Sequence, residues 1–295
     1  MKVKISLDEL NHTPSARFIK LLGGTFEHSP WVVEAVADRR PFPTLASLHE
    51  AMKNVVSSVN DSRKLALLLQ HPDLAGKAAL AGTMTEASKS EQGSAGLDRL
   101  SSLELKRFHE LNSAYREKFE FPFIICVRRH TKDSIFRQFE LRLQNSVPAE
   151  YETALSEIFR ITALRLDDTV LAEDRLKVHG FMDVHAIDLE RGVPATGLAV
   201  ELRELSVSGS ERVLTSGVIN AHGMTDVPFF QGCPVPIGRY ELHFAVGDYF
   251  TSQQPIPDLP FLDIVPVRFS VAEPEGHYHI PLRITPWAYT VYRGH

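Results

Sequence analysis

The chain has 295 residues, 43% of them apolar and 23% charged, with a formal net charge of −5 and an isoelectric point near 6.2. That length favours two cores of ordinary domain size over one, and the lack of a basic stripe argues against nucleic acid as a partner. No apolar run reaches membrane-spanning length, Met1–Glu9 lacks the apolar core of a signal peptide, and the only cysteines are Cys126 and Cys233. The reading is a soluble cytoplasmic protein with no membrane association, disulfide framework or thiolate metal site.

From about Pro14 to Val170 apolar residues recur at intervals of three and four, which predicts an all-α helical bundle over residues 1–170. The apolar run Leu65–Leu69 leads into His71-Pro72-Asp73-Leu74, and proline disfavours helical geometry in the residue before it, so His71 is placed at a helix end. Seventeen residues later comes Ser88-Lys89-Ser90-Glu91-Gln92, far enough for histidine, serine, glutamate and glutamine to converge on one pocket. Plainer readings exist: a His-Pro turn, and a Ser88-x-x-Glu91 capping box. Gly76, Gly82, Ala87 and Gly93 predict an irregular, pocket-lining loop between Ala75 and Gly96. Leu105, Phe108, Leu111, Tyr115 and Phe119 form the stripe of a core-facing helix capped near Ser101-Ser102, with Asn112 and Lys118 off the stripe and without a special role. A last helix begins near Val147-Pro148 and puts Tyr151, Leu155, Ile158, Thr162 and Arg165 on one face. An arginine there needs either a partner in the core or a ligand.

The helical period ends at a charged stretch, residues 171–177, read as a solvated linker. From 178 to 295 the period becomes two. Leu198, Val200 and Leu202 alternate with polar neighbours, as do Tyr240, Leu242, Phe244 and Val246, and Val265, Val267, Phe269 and Val271. Turn signals such as Asn220-Ala221-His222-Gly223 and Pro255-Ile256-Pro257-Asp258 separate these runs, which predicts an all-β antiparallel sandwich.

The series Phe26-Glu27-His28-Ser29-Pro30-Trp31, His71-Pro72-Asp73-Leu74, Ser88-x-x-Glu91-Gln92, Asn112-x-x-Tyr115, Phe121-Pro122-Phe123-Ile124, Arg142-Leu143-x-Asn145 and Leu164-Arg165-Leu166 resembles the decarboxylases of 2-oxo-4-hydroxy-4-carboxy-5-ureidoimidazoline (OHCU), a product of urate breakdown. The resemblance implies catalytic roles for His71, Glu91 and Arg165. By that resemblance His71 is assigned acid/base work on the hydroxyl and ring, Glu91 orientation and proton transfer, with the roles of these two open to exchange, and Arg165 the holding of an anionic group. It implies a pocket shaped by Pro72, Ser88, Gln92, Phe123 and Ile124. Because electrons left by departing carbon dioxide can pass into the ring, neither cofactor nor metal is expected.

Val184-His185-Ala186-Ile187-Asp188, Arg191-Gly192-x-Pro194, Gly247-Asp248-Tyr249-Phe250 and His277-Tyr278-His279-Ile280-Pro281-Leu282 resemble the transthyretin-like 5-hydroxyisourate hydrolases, whose product is OHCU. A fusion of the two implies a bifunctional, allantoin-forming enzyme acting on small molecules, and a homo-oligomer, a homotetramer, through the transthyretin-like domain. His185 and His279 match the family's histidines. Met224 stands where the family has arginine, and His295 where it ends in serine. By strand alternation Arg283 shares a face with His279, so Arg283 and His295 are expected to replace the missing groups in substrate binding. Two alternatives follow from the same departures: a non-hydrolytic assembly module, or a hydrolase of a related cyclic ureide.

Overall fold

The structure is a computed structural model and describes residues 4–76, 85–253 and 259–294. The chain divides into two compact units, residues 1–128 with 134–178, and residues 129–133 with 179–295.

The first half is helical: Leu7–His12 (α1), Ser15–Leu22 (α2), Trp31–Ala37 (α3), Leu45–Ser58 (α4), Asp61–Leu69 (α5), Glu86–Ser94 (α6), Ser102–Phe119 (α7), Lys132–Arg142 (α8) and Val147–Thr169 (α9). Side-chain oxygens cap their starts: Thr44 takes the backbone N–H of Ser47, Asn60 that of Arg63, and Ser101 with Glu104 forms a capping box. The last helix starts at Ser146 with proline in its first turn, where the missing N–H costs nothing. Its buried positions run from Glu150 to Asp167, so it lies within the core, and Leu155, Ile158, Thr162 and Arg165 are buried as the spacing predicts.

Three features of this half differ from the sequence reading. The stretch expected as a pocket-lining loop contains the helix α6, because Thr85 accepts from the N–H of Ser88 and starts a regular turn there. Residues 77–84, with Gly82, lie outside the described residues. Asn112 is buried at 7% exposure, and its Nδ2 donates to the carbonyl of Leu74 at 2.9 Å, tying α7 to the segment that follows His71. The charged stretch 171–177 is anchored. Val170–Leu171 (β2) pairs in parallel with Ile5–Ser6 (β1). Asp174 accepts from the N–H groups of Leu45 and Ala46 at the start of α4, where a carboxylate is favoured, and Arg175 pairs with the buried Asp167.

The second unit contains strands Gly180–Asp188 (β3), Val193–Pro194 (β4), Ala199–Leu205 (β5), Glu211–Val218 (β6), Phe230–Cys233 (β7), Gly238–Ala245 (β8), Ile264–Val271 (β9), His277–Thr285 (β10) and Ala288–Val291 (β11), with one helix, Val246–Gln253 (α10). One sheet has the order β11-β10-β3-β4, with β7 also on β3; the other is β6-β5-β8-β9. Between them Val184, Leu202, Tyr240, Leu242, Phe244, Ile280 and Leu282 form the core, the inward sets of alternating strands. The pairing is not antiparallel throughout. β3 and β10 run parallel, with His279 beside Asp183 and Pro281 beside His185. Alternation records which face is buried and carries no information on strand direction.

Candidate functional site

In the first unit, the end of α5, the helix α6, the helix α9 and the turn before α3 bring four charged or titratable side chains together. His71 follows the cap of α5, where its N–H reaches the carbonyl of Leu68 at 3.1 Å, as a histidine before proline should. Its Nδ1 lies 3.1 Å from the carbonyl of Leu67. A carbonyl only accepts, so Nδ1 carries the proton and Nε2 offers its lone pair. Burial lowers the imidazole to about 4 despite the opposing pull of the Glu27 carboxylate, so His71 is neutral at physiological pH.

On α6, Ser88, Glu91 and Gln92 are spaced to share one helical face. Gln92 Oε1 accepts from the N–H of Ala75 at 3.1 Å and so holds the chain after Pro72. Glu91 takes a two-pronged pair from Arg165, with Nε to Oε1 and Nη2 to Oε2 both at 2.8 Å. The other N–H groups of Arg165 also have protein acceptors. Nη1 donates to Glu27 Oε2 at 2.8 Å and to the carbonyl of Gly24 at 3.4 Å, and Nη2 donates to Ser88 Oγ at 3.2 Å. Burial opposes the arginine's charge, but Glu91 and then Glu27 raise its pKa above the ordinary value.

Glu27 was not among the residues singled out for a role. It is 2% exposed, precedes His28 in the left-handed region (φ 46°), and accepts from Thr85 Oγ1 at 2.7 Å and Ser88 Oγ at 3.0 Å as well as from Arg165. Burial pushes its carboxyl up, and Thr85 and Arg165 outweigh that to leave it below the usual range. A glutamate inside the run Phe26–Trp31 was the available signal, since a carboxylate flanked by core aromatics must be paired if buried.

His71, Pro72, Ser88, Glu91, Gln92 and Arg165 line a chamber of about 30 Å³ whose floor is Phe123, Ile124 and Ile125. That volume is of the order of one or two water molecules, and the pocket opens to solvent on one side. Arg142 Nη1 donates to the carbonyl of Ile124 and Glu157 accepts from the N–H of Cys126, both at 2.8 Å, which fixes the floor's backbone. Glu91 and Arg165 also face a groove of about 960 Å³ on their other side, lined by Lys4, Glu86, Arg128 and Asp168.

In the second unit, His185 on β3 and His279 on β10 lie on one sheet face with ring centroids 6.3 Å apart. Asp183, two residues before His185 and 5% exposed, places Oδ1 2.9 Å from His279 Nδ1. The carboxylate accepts, so Nδ1 is the donor and Nε2 of His279 is the free nitrogen. Asp183 is the second residue missed in the sequence; alternation put it on the same face as His185, which was the signal. Two glycines press on the histidines. A Cβ on Gly223, whose φ is +83°, would fall 2.4 Å from His185 Nε2, and one on Gly294 would fall 2.4 Å from His279 Cδ2. Met224 pairs across from His185 in a bridge, so the position lacking arginine does adjoin the histidines. Arg283 is on the expected face, but its guanidinium lies over the ring of Tyr292, 5.6 Å from the centroid. His295 lies outside the described residues.

Residues 11–167 match the OHCU decarboxylase family and residues 182–294 the HIUase/Transthyretin family. A 2-oxo-4-hydroxy-4-carboxy-5-ureidoimidazoline decarboxylase of Halalkalicoccus jeotgali is 37% identical over 171 residues, 58% of this chain and 95% of that protein. A 5-hydroxyisourate hydrolase of Deinococcus radiodurans is 44% identical over 117 residues, 39% of this chain and 97% of that protein. The crystal structure of an (S)-allantoin synthase is 32% identical, with 99% of this chain and 100% of that chain covered and a TM-score of 0.52. The chain belongs to the OHCU decarboxylase family in its first half and to the HIUase/Transthyretin family in its second.

Proposed function

We propose that this chain converts 5-hydroxyisourate to (S)-allantoin in two steps, hydrolysis at the His185–His279 pair followed by decarboxylation of OHCU at the His71–Glu91–Arg165 cluster. The observation that carries the reading is that cluster: a neutral histidine whose Nε2 keeps its lone pair lines one small pocket together with a glutamate–arginine pair. OHCU carries a carboxylate, and Arg165 has no unengaged donor, so the substrate carboxylate takes the place of Glu91 on the Nε/Nη2 fork. The carbon–carboxylate bond then breaks, its electron pair passes into the adjacent C=N, and carbon dioxide leaves. The nitrogen takes one proton from the site. His71 accepts the hydroxyl proton, and the neighbouring ring carbon gains one on a single face, giving one enantiomer.

In the second unit His279, oriented by Asp183, removes a proton from water for attack on the cyclic ureide, and His185 polarises or protonates the ring. Arg283 is assigned the attraction of the anionic substrate in place of the arginine absent at Met224, with His295 as a hydrogen-bonding group. The assembly-module reading keeps Met224 as its support. The buried Asp183 beneath His279 favours hydrolysis, since a scaffold gains nothing from orienting an imidazole. Cys126, which is buried, and Cys233 are joined in no disulfide, which supports a reducing cytoplasmic setting. Among the described residues no helix is long and apolar enough to cross a membrane. The edge strand β11, exposed throughout and carrying Tyr289, supports assembly into a homotetramer.

The test is to mix the purified chain with freshly generated 5-hydroxyisourate and follow absorbance and circular dichroism together. Wild type yields optically active allantoin, His71→Ala stops at OHCU, and His279→Ala leaves 5-hydroxyisourate to decay at its spontaneous rate. Hydrolysis undiminished in both His279→Ala and Arg283→Leu would refute the assignment of the second site.

A further inference from the structure

The carboxylate that the sequence did not single out sets the charge balance of the decarboxylating chamber. Arg165 lies between two glutamates that are held very differently. Glu27 is buried and receives three donors, Thr85 Oγ1, Ser88 Oγ and Arg165 Nη1. Among the described residues Glu91 receives side-chain donors from Arg165 alone, and its side chain keeps 16% exposure at the groove. With His71 neutral, two carboxylates and one guanidinium leave the resting cluster one negative charge in excess. An anionic substrate makes that two beside the buried side chains of Glu27, His71 and Arg165, and like charges at contact distance in such a place do not both persist. One proton must enter. Glu27 is the poorer place for it, because protonation there would give up three charge-assisted hydrogen bonds.

Resting on the decarboxylase reading above, we propose that Glu27 is a positioning residue: its fixed charge obliges the site to take up one proton together with its anionic substrate, and Glu91 carries that proton. Loss of carbon dioxide from a carboxylate consumes one proton whatever the route, since a C–C bond is replaced by a bond to hydrogen. The inference concerns when it enters: at binding, on Glu91, which releases Arg165 to the substrate carboxylate and then passes the proton to the C=N nitrogen. The groove beside Glu91 gives it access to solvent for the next proton. The groups facing this exchange are Arg165, His71 and His28 around Glu27, the last at 4.0 Å, and Lys4, Glu86, Arg128 and Asp168 along the groove. None of these replaces Glu27, which alone among the described residues is a buried carboxylate in direct contact with both Arg165 and Ser88.

The measurement is KM and kcat for freshly generated OHCU from pH 7 to 8, with the full chain. Uptake of one proton on binding makes the wild-type KM rise about tenfold per pH unit while kcat stays level. In Glu27→Gln the excess charge is gone, so KM becomes flat with pH and kcat falls at least about tenfold, for want of a proton already in place. Glu27→Asp keeps the charge and restores the slope, which a merely structural role of Glu27 would not predict. A pH-independent wild-type KM overturns the inference whether or not Glu27→Gln folds, as does a Glu27→Gln slope equal to the wild type. Absence of OHCU turnover in the wild type instead refutes the decarboxylase reading itself.

Discussion

Replacing Asp183 by asparagine tests the second site most sharply. Asp183 Oδ1 is 2.9 Å from His279 Nδ1 and 3.6 Å from His277 Nε2, and it is buried, so no water can take over its role cheaply. The carboxylate can only accept, which fixes the proton on Nδ1 and leaves Nε2 as the base. A carboxamide of the same shape can turn its NH₂ toward Nδ1, and the imidazole then carries its proton on Nε2 and has no lone pair there to accept another. Loss of a positioned base costs about 10²–10⁴-fold in rate, or about 3–5 kcal/mol at 1.36 kcal/mol per decade. Because His185 remains and the amide can also bind in the productive orientation, the expected loss is about 10²–10³-fold in kcat/KM. The assay is the decay of 5-hydroxyisourate absorbance under stopped-flow mixing, with OHCU turnover by the same preparation as an internal control that stays at wild-type level. A loss under about threefold in a folded variant refutes the idea that His279 acts through a single tautomer.

Arg142→Met removes the donor that holds the Ile124 carbonyl and strips Glu150, 0% exposed, of its arginine, leaving Tyr115 and Asn145 as its partners. Breaking such a buried pair costs about 3–5 kcal/mol, measurable by urea unfolding, and adding Glu150→Gln recovers part of it if the orphaned charge is the cause. His49 and His71 both have folded-state values near 4 against an ordinary 6.5, burial being the main cause. The unfolded chain therefore binds more protons between those values, so stability is full above pH 6.5 and falls as pH drops toward 4, by about 3 kcal/mol for the fully buried His71. His71→Asn flattens that loss in pH-dependent unfolding if the reasoning holds. Gly223→Ala and Gly294→Ala each drive a methyl to 2.4 Å from a histidine ring atom, so hydrolysis drops at least about tenfold while decarboxylation persists; two active variants would show the histidines free to shift.

The sequence by itself determined where the chain changes from a helical to a strand period and which face of α7, α9, β5, β8 and β9 is buried, and it offered His71, Glu91, Arg165, His185 and His279 as the candidate side chains. These are local properties: apolar spacing follows from the geometry of one element, a proline restricts the residue before it, and an ordered series of motifs can be read without knowing a contact. Tertiary structure decided what those side chains meet. Glu27 reaches Arg165 across 138 positions and Asp183 reaches His279 across 96, and no period in either segment encodes the partner. Asn112, off the apolar stripe, is buried because it caps the Leu74 carbonyl of another segment. The parallel pairing of β3 with β10 is likewise invisible to alternation, which is the same for both directions. Even the free nitrogen of His71 was settled by one carbonyl, Leu67, that only the closed turn at the end of α5 brings to it. A buried polar group must find a partner, and the fold chooses which one, because the cost of leaving it unpaired is felt only once water has been excluded.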